Sequence, residues 1–540
     1  MQKMLQRETN LTSPKLIWLV WLTGIGTSLL LSAKWLVPAA AWIAPACFLF
    51  FIQFKKGRIK WCWLFLGLFI SQALASVDVA PLPLPVLLII TLINTALASI
   101  IYALHYWVSK RSDHFITTLV FPSAWVAMEY YNSFGGAGVW GNMANTQFTF
   151  SYLAQLASVT GIWGISFLVY WWNALFVWGI HRWINYRPYK TPLAIFGSLF
   201  LLTMIYGISR YHFGTNENQF KKIKVSGIAL SQLDNMESMY KEVTGKKINI
   251  DPAISQTSPQ LQEFNKAFIK VIENPDSLKF PKTIAGIYQF NDSLFTLTKS
   301  AADKGAQLVL WAEANSIIYP QHEAGLIEKG KAVAKEKNIY LLMAYAVLHP
   351  GKIIPGKKFM ENKTVFAGPD GTVLNIFYKN KPVPFAENSI EGDGRIPVIN
   401  TALGKASVSI CYDADFPALM KQLSVNKSDF LLLPSGDWFA ITPHHTYMAV
   451  YRAIENGCPL IRNVKGGLSV ATDYKGKIYS SSNFYDAANK QWIFELPTGH
   501  VNTIYSVLGD AVPYFSILIL TATIVLLISN FIKRNFLNKN

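Results

Sequence analysis

Three side chains that can act together in nucleophilic chemistry lie in similar positions along the chain. Glu313, Lys379 and Cys411 each follow, at once or after one residue, an apolar run of four to six residues. A residue placed where a buried strand ends lies at the rim of its sheet, so these three can form one site. A thiol needs a base or a positive field to react at neutral pH, and the carboxylate and the ammonium could supply these. Taken singly, the three could be a surface carboxylate, part of a basic turn and a small buried hydrophobe; their joint placement favours a nucleophilic site.

The turn that follows Lys379 extends this candidate site. It contains two prolines and ends at Glu387. The prolines make the turn rigid, which fixes the ammonium and the second carboxylate relative to each other. Lys379 could stabilise a developing oxyanion, and Glu387 could hold that ammonium or a substrate group in place.

Two aromatic segments could contact an apolar substrate. Trp438 and Phe439 follow the apolar run 430–433 and could either pack beneath a loop or line a channel for an acyl chain. Trp140 lies in the glycine-rich loop 134–142, which could be an interfacial aromatic belt or part of an opening for lipid. The sequence leaves both alternatives open.

A helical segment after Trp438 carries further polar residues. His444 and His445 are adjacent, so their side chains point in different directions and make poor common ligands. With no second cluster of His and Cys nearby, we predict no metal site. Arg452 and Glu455 are three residues apart, which is the spacing of an ion pair on one helix face.

The four cysteines do not form a disulfide framework. Cys47 and Cys62 lie in apolar windows and are expected to be small apolar residues there. Cys411 and Cys458 share the polar part of the chain and could be oxidised together. We expect no such bond, because Cys411 is better explained as a free thiol.

The composition indicates a membrane protein. Of the 540 residues 51% are hydrophobic and 17 are tryptophan, and the apolar residues are concentrated in blocks. A helix that crosses the hydrocarbon core needs about 20 apolar residues. Eight windows approach this length, the second and the fifth of them interrupted by proline: 16–33, 36–54, 61–79, 84–108, 115–131, 161–183, 192–209 and 513–532.

Basic residues alternate between the loops that join these windows. Basic residues cluster before the first window, in the loops after the second, fourth and sixth windows, and after the eighth window. The segments 76–84 and 132–160, which lie in the alternate loops, contain no basic residue. This alternation predicts both termini in the cytoplasm and the polar segment between the seventh and eighth windows outside. The net charge of +17 is explained by these loops lying beside anionic lipids, so we expect no nucleic-acid partner.

The polar part of the chain has the pattern of a layered α/β domain. Short β-rich runs alternate with helical patterns from about residue 220 to 505, which indicates a buried sheet covered by helices. Residues 231–285 are polar with few apolar anchors, and we predict an insertion there. The predicted domains are a bundle of about seven transmembrane helices at 1–218, an external catalytic domain at 219–507, and a last transmembrane helix with a cytoplasmic tail at 508–540. Strands are predicted at 223–230, 307–311, 339–347, 364–368, 406–411, 429–433, 459–464 and 467–472.

These motifs together resemble the apolipoprotein N-acyltransferases, a membrane-embedded family within the nitrilase, or carbon–nitrogen hydrolase, superfamily. The matching pieces are Leu-Val-Leu-Trp-Ala-Glu313, Lys379 through Val-Pro-Phe-Ala-Glu387, Ile-Cys411-Tyr-Asp, and Gly-Asp-Trp-Phe with the following Arg-Ala-Ile-Glu455; Gln232 also fits. The resemblance implies about eight transmembrane helices and a nitrilase-like α-β-β-α sandwich. The chain departs from the family pattern at Asp413, where Glu is usual, at Ala386, where Gly is usual, and in the stretch 463–467.

The resemblance also implies a two-step acyl transfer without a cofactor or metal. Cys411 takes an acyl chain from a phospholipid, commonly phosphatidylethanolamine, as a thioester and passes it to the N-terminal amine of a diacylglyceryl-cysteine lipoprotein. Glu313 is then the general base and acid, Lys379 stabilises the tetrahedral intermediate, Glu387 supports the site, and the backbone N–H of Tyr412 is an oxyanion donor.

On the same resemblance, the expected location is the bacterial inner membrane with a periplasmic catalytic domain, and the expected state is a monomer. Two alternatives remain. One is a membrane-tethered amidase, or an acyltransferase that uses another amine. The other is a lipid-binding scaffold whose three reactive residues are a relic.

Overall fold

The computed structural model describes residues 13–214, 219–251, 253–275, 279–353, 358–486 and 490–537. The chain divides into two compact units, a helical unit of Met1–Phe213 with Val507–Asn540, and an α/β unit of Gly214–Ser506. The divisions predicted after residues 218 and 507 lie close to these limits.

Each of the eight predicted apolar windows coincides with helical structure. In the described part of the chain, four helices are long and apolar enough to cross a membrane: Leu84–Arg111, Ile162–Ile184, Lys190–Phe213 and the segment Ala511–Ser529 of the last helix. The other windows form shorter helices, and the count of eight spans remains a prediction. Proline lacks a backbone N–H and is favoured in the first turn of a helix. Pro38 and Pro45 accordingly lie at the starts of two separate helices, Pro38–Trp42 and Ala44–Phe54, into which the second window is divided. The helices of this unit are Pro14–Leu30, Pro38–Trp42, Ala44–Phe54, Lys60–Ser76, Leu84–Arg111, Phe115–Leu119, Val120–Asn132, Met143–Gln147, Ser151–Ala154, Ala157–Thr160, Ile162–Ile184, Lys190–Phe213, Ile504–Leu508 at its border, and Ala511–Leu537.

The apolar helices differ in how much of their surface they bury. The helix Ile162–Ile184 is 83% buried over its most apolar window, whereas Lys190–Phe213 and Ala511–Ser529 are only 17% and 11% buried. A helix that is apolar on all sides and leaves those sides exposed is suited to contact with lipid. The helical unit therefore has a packed centre and an apolar periphery.

The α/β unit is a sandwich of two sheets. One sheet has the strand order β13-β1-β2-β4-β5-β6, with β3 beside β4, and the other has the order β12-β11-β10-β9-β8-β7. The strands are β1 Lys221–Ile228, β2 Leu308–Trp311, β3 Ser316–Ile318, β4 Tyr340–Leu348, β5 Met360–Ala367, β6 Val373–Tyr378, β7 Val398–Thr401, β8 Gly404–Val408, β9 Phe430–Gly436, β10 Leu460–Lys465, β11 Leu468–Thr472, β12 Ile478–Asn483 and β13 Gln491–Thr498.

Helices cover the outer face of each sheet, which completes the α-β-β-α layering. Pro281–Asp303 and Pro320–Lys337 pack on the first sheet, and His444–Asn456 packs on the second. Between the sheets, the Asn463 side chain donates to the backbone oxygens of Ile228 and Leu310 at 2.9 and 3.0 Å. The nitrilase-like α/β domain expected from the sequence is therefore present. The other helices of this unit are Leu233–Thr244, Pro259–Glu273, Cys411–Asp415, Pro417–Met420, Gln422–Val425 and Phe439–Ile441.

All eight of these predicted strands are present, and the apolar run 373–378 before Lys379 forms β6, but the described part of the chain has four further strands that were not predicted. These are β3, β7, β12 and β13. Strand β12 reads Ile-Tyr-Ser-Ser-Ser-Asn and carries little apolar signal, and β7 is only four residues long. Strand β13 is held by antiparallel pairing with β1, which lies far away in sequence. Such long-range partners do not leave a local pattern.

The prediction of few apolar anchors in residues 231–285 is wrong. Leu233–Thr244 and Pro259–Glu273 are amphipathic helices with a small core of their own. Met239, Tyr240 and Phe264 are among its buried members. Apolar residues spaced three or four apart form one stripe on a helix, so a segment that is polar on average can still bury a face.

Candidate active site

Glu313 lies just beyond the carboxyl end of β2. Its backbone N–H donates to the oxygen of Ser435 on β9 at 3.3 Å, which ties the end of one sheet to the end of the other. The following residue, Ala314, has a φ of +44°, so the chain turns sharply there. The Glu313 side chain is only 8% exposed. The carboxylate is therefore held at the junction of the two sheets.

Lys379 lies directly after β6 and contacts both predicted carboxylates. Its Nζ donates to Glu313 Oε1 at 2.8 Å and to Glu387 Oε2 at 2.5 Å. Burial by itself would lower the pKa of Lys379, but the two carboxylates raise it well above its ordinary value. Burial would likewise raise the pKa of Glu387, but Lys379 holds it below its ordinary value. Lys379 is thus held as a cation between two carboxylates.

Asn362 on β5 is a site residue that the sequence did not reveal. Its Nδ2 donates to Glu313 Oε1 at 2.7 Å and to Glu387 Oε1 at 2.8 Å, so it bridges the same carboxylates as Lys379. Ser389 adds a hydroxyl donor to Glu387 at 2.6 Å. Asn362 lies just before the predicted strand 364–368, between the charged residues Glu361 and Lys363, so the local pattern did not single it out.

Cys411 begins a short 3₁₀ helix, Cys411–Asp415, beyond the end of β8. Its φ of +47° is unusual for a residue with a side chain, and such strain is commonly stored at functional sites. The thiol is buried and lies 3.5 Å from the backbone oxygen of Gly436, to which it donates. A Cβ at Gly436 would lie 3.2 Å from Glu313 Oε2, so the absence of a side chain here leaves space beside both the thiol and the carboxylate. The structure therefore brings Glu313, Lys379 and Cys411 into one site.

The thiol is uncharged at rest. Burial raises the pKa of Cys411 well above its ordinary value, and the negative charge of Glu313 raises it further, against the opposing effect of Lys379. A thiol in this state becomes nucleophilic only when a base removes its proton during attack. The negative charge of Glu313 acts on the thiol, and its role as that base remains a prediction.

Asp413 connects the cysteine turn to the lysine turn. Its carboxylate accepts from the backbone N–H of Ile410 at 3.0 Å and from that of Lys381 at 2.7 Å. Burial raises the pKa of Asp413 to about 7 against these favourable hydrogen bonds. Asp413, which stands where the family pattern has glutamate, thus has a structural role, since it holds the two turns together. The neighbouring Tyr412 ring packs edge-on against Phe416, and the role of its N–H as an oxyanion donor remains a prediction.

A second buried network lies beside the cysteine. His445 contacts Asp437 Oδ1 through Nδ1 at 2.7 Å and Asp415 Oδ1 through Nε2 at 3.1 Å. Arg462 donates to the same Asp437 oxygen at 2.9 Å. Burial would lower the pKa of His445, but the two aspartates raise it to about 9, so the ring is an imidazolium at neutral pH.

This network does not fit a metal. Ligand atoms of Cys411, Asp437 and His445 lie within 4.8 Å of one another, which is close enough for a common ion. However, each nitrogen of His445 already lies within hydrogen-bond distance of a carboxylate, so neither points at an ion shared with Cys411. Asp437 is already held by Arg462.

Lys465 is a further cation near the thiol that the sequence did not single out. It ends β10, where it pairs with Gly436, and its Nζ donates to the backbone oxygen of Ala314 at 3.2 Å. Burial lowers the pKa of Lys465, whereas the charges of Glu313 and Cys411 oppose that change. The side chain is partly exposed. It therefore places a second ammonium where a substrate could reach it.

The predicted aromatic contacts differ in how far the structure supports them. Phe439 is 52% exposed and meets the ring of Tyr485 edge-on, so it is not packed beneath a loop. Trp438 is partly exposed beside it. Trp140 belongs to the helical unit, and its part in substrate binding remains a prediction.

Three further points from the sequence analysis concern an ion pair, the cysteines and Gln232. Arg452 and Glu455 form the predicted ion pair, fully buried, at 3.0 Å. All four cysteines are free, as expected. Gln232 donates to the backbone oxygen of Asn315 at 2.8 Å, close to the turn that carries Glu313.

Comparison with known proteins matches both units to families. The carbon–nitrogen hydrolase family model matches residues 249–487, and the model of the apolipoprotein N-acyltransferase N-terminal domain matches residues 25–175. The apolipoprotein N-acyltransferase of Geobacter metallireducens is 25% identical over 434 residues, which is 75% of this chain and 73% of the relative. Apolipoprotein N-acyltransferase 1 of Treponema denticola is 25% identical over 480 residues, covering 81% of this chain and 82% of the relative. Among solved structures, an amidase from Nesterenkonia sp. aligns at 16% identity with 51% of this chain and 90% of its own, at a TM-score of 0.35, which is too low to support an inference.

Proposed function

This chain belongs to the apolipoprotein N-acyltransferase family, and from that membership we propose that it acylates the N-terminal amine of lipoproteins through a thioester on Cys411. The observation that carries the mechanism is the buried contact of Lys379 with Glu313 and Glu387 beside a strained, buried cysteine. The family supplies the reaction, and the site supplies a base, a cation and a nucleophile for it.

The first step forms the thioester. Glu313 removes the thiol proton as Cys411 Sγ attacks an ester carbonyl carbon of a phospholipid, which forms a C–S bond and a tetrahedral oxyanion. The charge of Lys379 and the N–H of Tyr412 stabilise that oxyanion. Collapse of the intermediate breaks the C–O bond, and the proton on Glu313 passes to the leaving alkoxide. The products are an acyl-enzyme and a lysophospholipid.

The second step transfers the acyl chain. The neutral amine of a diacylglyceryl-cysteine attacks the thioester carbonyl, and Glu313 accepts a proton from the nitrogen as the C–N bond forms. The C–S bond then breaks, and the sulfur of Cys411 regains the proton from Glu313. The product is an amide, and the enzyme returns to its resting state with a neutral thiol.

The charges of the resting site suit this cycle. Glu387 and Asn362 hold Lys379 and Glu313 in fixed contact, so the cation does not need to be recruited during attack. Preorganised charges cost no reorganisation when the oxyanion forms. Because the thiol is protonated at rest, the enzyme avoids a standing thiolate that would react with other electrophiles.

The finer description of substrates and location also belongs to this proposal. We assign phosphatidylethanolamine as donor, the bacterial inner membrane as location, both termini to the cytoplasm, the catalytic unit to the periplasm, and a monomer as the working state. A donor that stays in the outer leaflet of that membrane does not expose its acyl chain to water. Such exposure would cost about 0.8 kcal/mol of free energy per CH₂. Phe439 and Trp438 are assigned to the acyl chain because an exposed ring beside the site offers it an apolar surface.

Reconstitution in detergent tests the proposal. The purified protein is given phosphatidylethanolamine with a labelled acyl chain, with or without a diacylated lipopeptide. We expect label on Cys411 without the peptide and label on the peptide amine with it. Label released only as free fatty acid would support an amidase-like hydrolase, and no covalent label would support a lipid-binding scaffold.

A further inference from the structure

A basic cavity of about 590 Å³ lies within the helical unit. It is formed where the helices Ala44–Phe54 and Lys60–Ser76 are joined, beside the ends of Leu84–Arg111 and Ile162–Ile184. Five cations line it and no carboxylate does: Lys55, Lys56, Arg58, Lys60 and Lys110.

These cations have no acidic partner among the residues that the structure describes. The ion pairs of the helical unit join Lys34 to Asp78, and Asp113 to His181, Arg182 and Arg187. None of the five cations of the cavity takes part in them. Like charges gathered around one space repel each other, and a bound anion would relieve that repulsion.

One of the cations is built into the wall. Lys60 is only 6% exposed, its Nζ donates to the backbone oxygen of Ile52 at 2.7 Å, and it lies 3.8 Å from the centre of the Tyr106 ring. Lys110 lies 5.3 Å from the same ring. Burying an ammonium without a counterion is costly. Loop lysines that only set the orientation of a membrane protein need neither a cavity nor burial.

The surroundings favour a lipid over a free ion. Phe54, Trp61 and Ile184 line the cavity together with the cations. Next to it in the chain, Ile59 is 60% exposed and Trp183 is 38% exposed. Exposed aromatic and aliphatic side chains beside lysines are typical of the depth where lipid head groups meet acyl chains.

We propose that this cavity binds the phosphate head group of an anionic phospholipid. The phosphate lies among the five cations, and the acyl chains lie along the apolar surface of the adjoining helices. This site is separate from the proposed acyl-transfer chemistry, and on the predicted topology it faces the cytoplasmic leaflet.

Binding of short-chain lipids to the full-length protein in detergent tests the assignment. Dioctanoyl phosphatidylglycerol, dioctanoyl phosphatidylcholine and inorganic phosphate are titrated against the wild type, Lys55→Gln/Lys110→Gln and, as a second pocket variant, Lys56→Gln/Arg58→Gln. We expect phosphatidylglycerol to bind best, and each pocket variant to weaken it about 30-fold, as expected for two lost charges near an anionic lipid.

The matched control is Lys15→Gln/Lys190→Gln. It removes two exposed charges predicted on the same side of the membrane but outside the cavity, and it should change phosphatidylglycerol binding less than twofold. Melting of each variant in detergent shows whether it remains folded. Equal weakening by the control, equal affinity for phosphatidylcholine, or displacement of the lipid by an equal concentration of inorganic phosphate would each overturn the proposal.

Discussion

Replacing Lys379 with Met tests the centre of the proposed mechanism. The substitution keeps much of the side-chain volume but removes the cation between Glu313 and Glu387, which lie 2.8 and 2.5 Å from its Nζ. The three side chains are at most 10% exposed, so solvent screens little of this interaction. Removing one partner of a buried ion pair lowers the free energy of unfolding by about 3–5 kcal/mol, because the other charge remains buried without its partner.

Protonation limits that cost and gives it a pH dependence. In the wild type, Lys379 holds the pKa of Glu387 below its ordinary value, so this contribution to stability is present above that value and is lost as the pH falls. In Lys379→Met the pKa of a buried carboxylate rises instead, and taking up a proton relieves the penalty at low pH. We expect a loss of about 3 kcal/mol in the free energy of unfolding at pH 8 and a clearly smaller loss at pH 5.

The same substitution should also lower the activity of the protein that remains folded. Loss of one preorganised group at an oxyanion typically reduces kcat by about 10²–10³. Lys363→Met is the matched control, since Lys363 is also buried between two carboxylates, Glu323 and Glu361, at 2.5 and 2.7 Å. It should be destabilised to a similar extent but retain acyl transfer in proportion to the folded protein.

Denaturant unfolding in detergent and transfer of labelled acyl chain to a diacylated lipopeptide provide both measurements. Intact mass spectrometry of the protein without peptide reports the acyl-enzyme directly. Acyl transfer is compared per folded molecule in the two variants. If Lys379→Met then transferred the acyl chain as fast as Lys363→Met, Lys379 would have no catalytic role and the charge argument would be wrong.

Three further predictions concern the thiol and its neighbours. Cys411→Ala should abolish both the acyl adduct and transfer while the protein remains folded, and any residual adduct by mass spectrometry would place the nucleophile elsewhere. Lys465→Gln should shift the pH dependence of Cys411 alkylation by iodoacetamide to higher pH and slow thioester formation about tenfold, because it removes a nearby positive charge. Lys465→Arg should restore the pH dependence and the rate. An unchanged pH dependence in Lys465→Gln would show that this lysine has only a structural role. His445 has a pKa raised from 6.5 to about 9, so its contribution to stability is complete below pH 6.5 and is lost as the pH rises through 9. The unfolding free energy of the wild type should therefore fall by about 3 kcal/mol over that window, and His445→Gln should lack this slope.

Glu313, Lys379 and Cys411 could be predicted as a candidate site from local sequence because each comes shortly after a short run that forms a strand. Runs such as 308–311 and 373–378 indicate where strands end, and parallel strands place their ends at a common rim. The turn with two prolines and Glu387 gave a further local signal. The free state of Cys411 and the pairing of Arg452 with Glu455 followed from the same kind of reasoning.

Contacts between the two sheets of the sandwich could not be predicted from local sequence patterns. Asn362 and Lys465 belong to different sheets and are brought to Glu313 by strand order, which depends on partners far away in sequence. The amphipathic core of residues 231–285 was missed because average polarity hides a buried stripe.

Residue types and their spacing were enough to group Glu313, Lys379 and Cys411 as one candidate site and to locate the apolar blocks of the chain. Only the folded chain showed that Asn362 bridges two carboxylates and that His445 is enclosed by aspartates. It also showed that five cations, with no acidic partner among the described residues, line a cavity in the helical unit. The reason is physical, since hydrophobic periodicity is a local property of the chain whereas burial of charge depends on which distant groups the fold places around it.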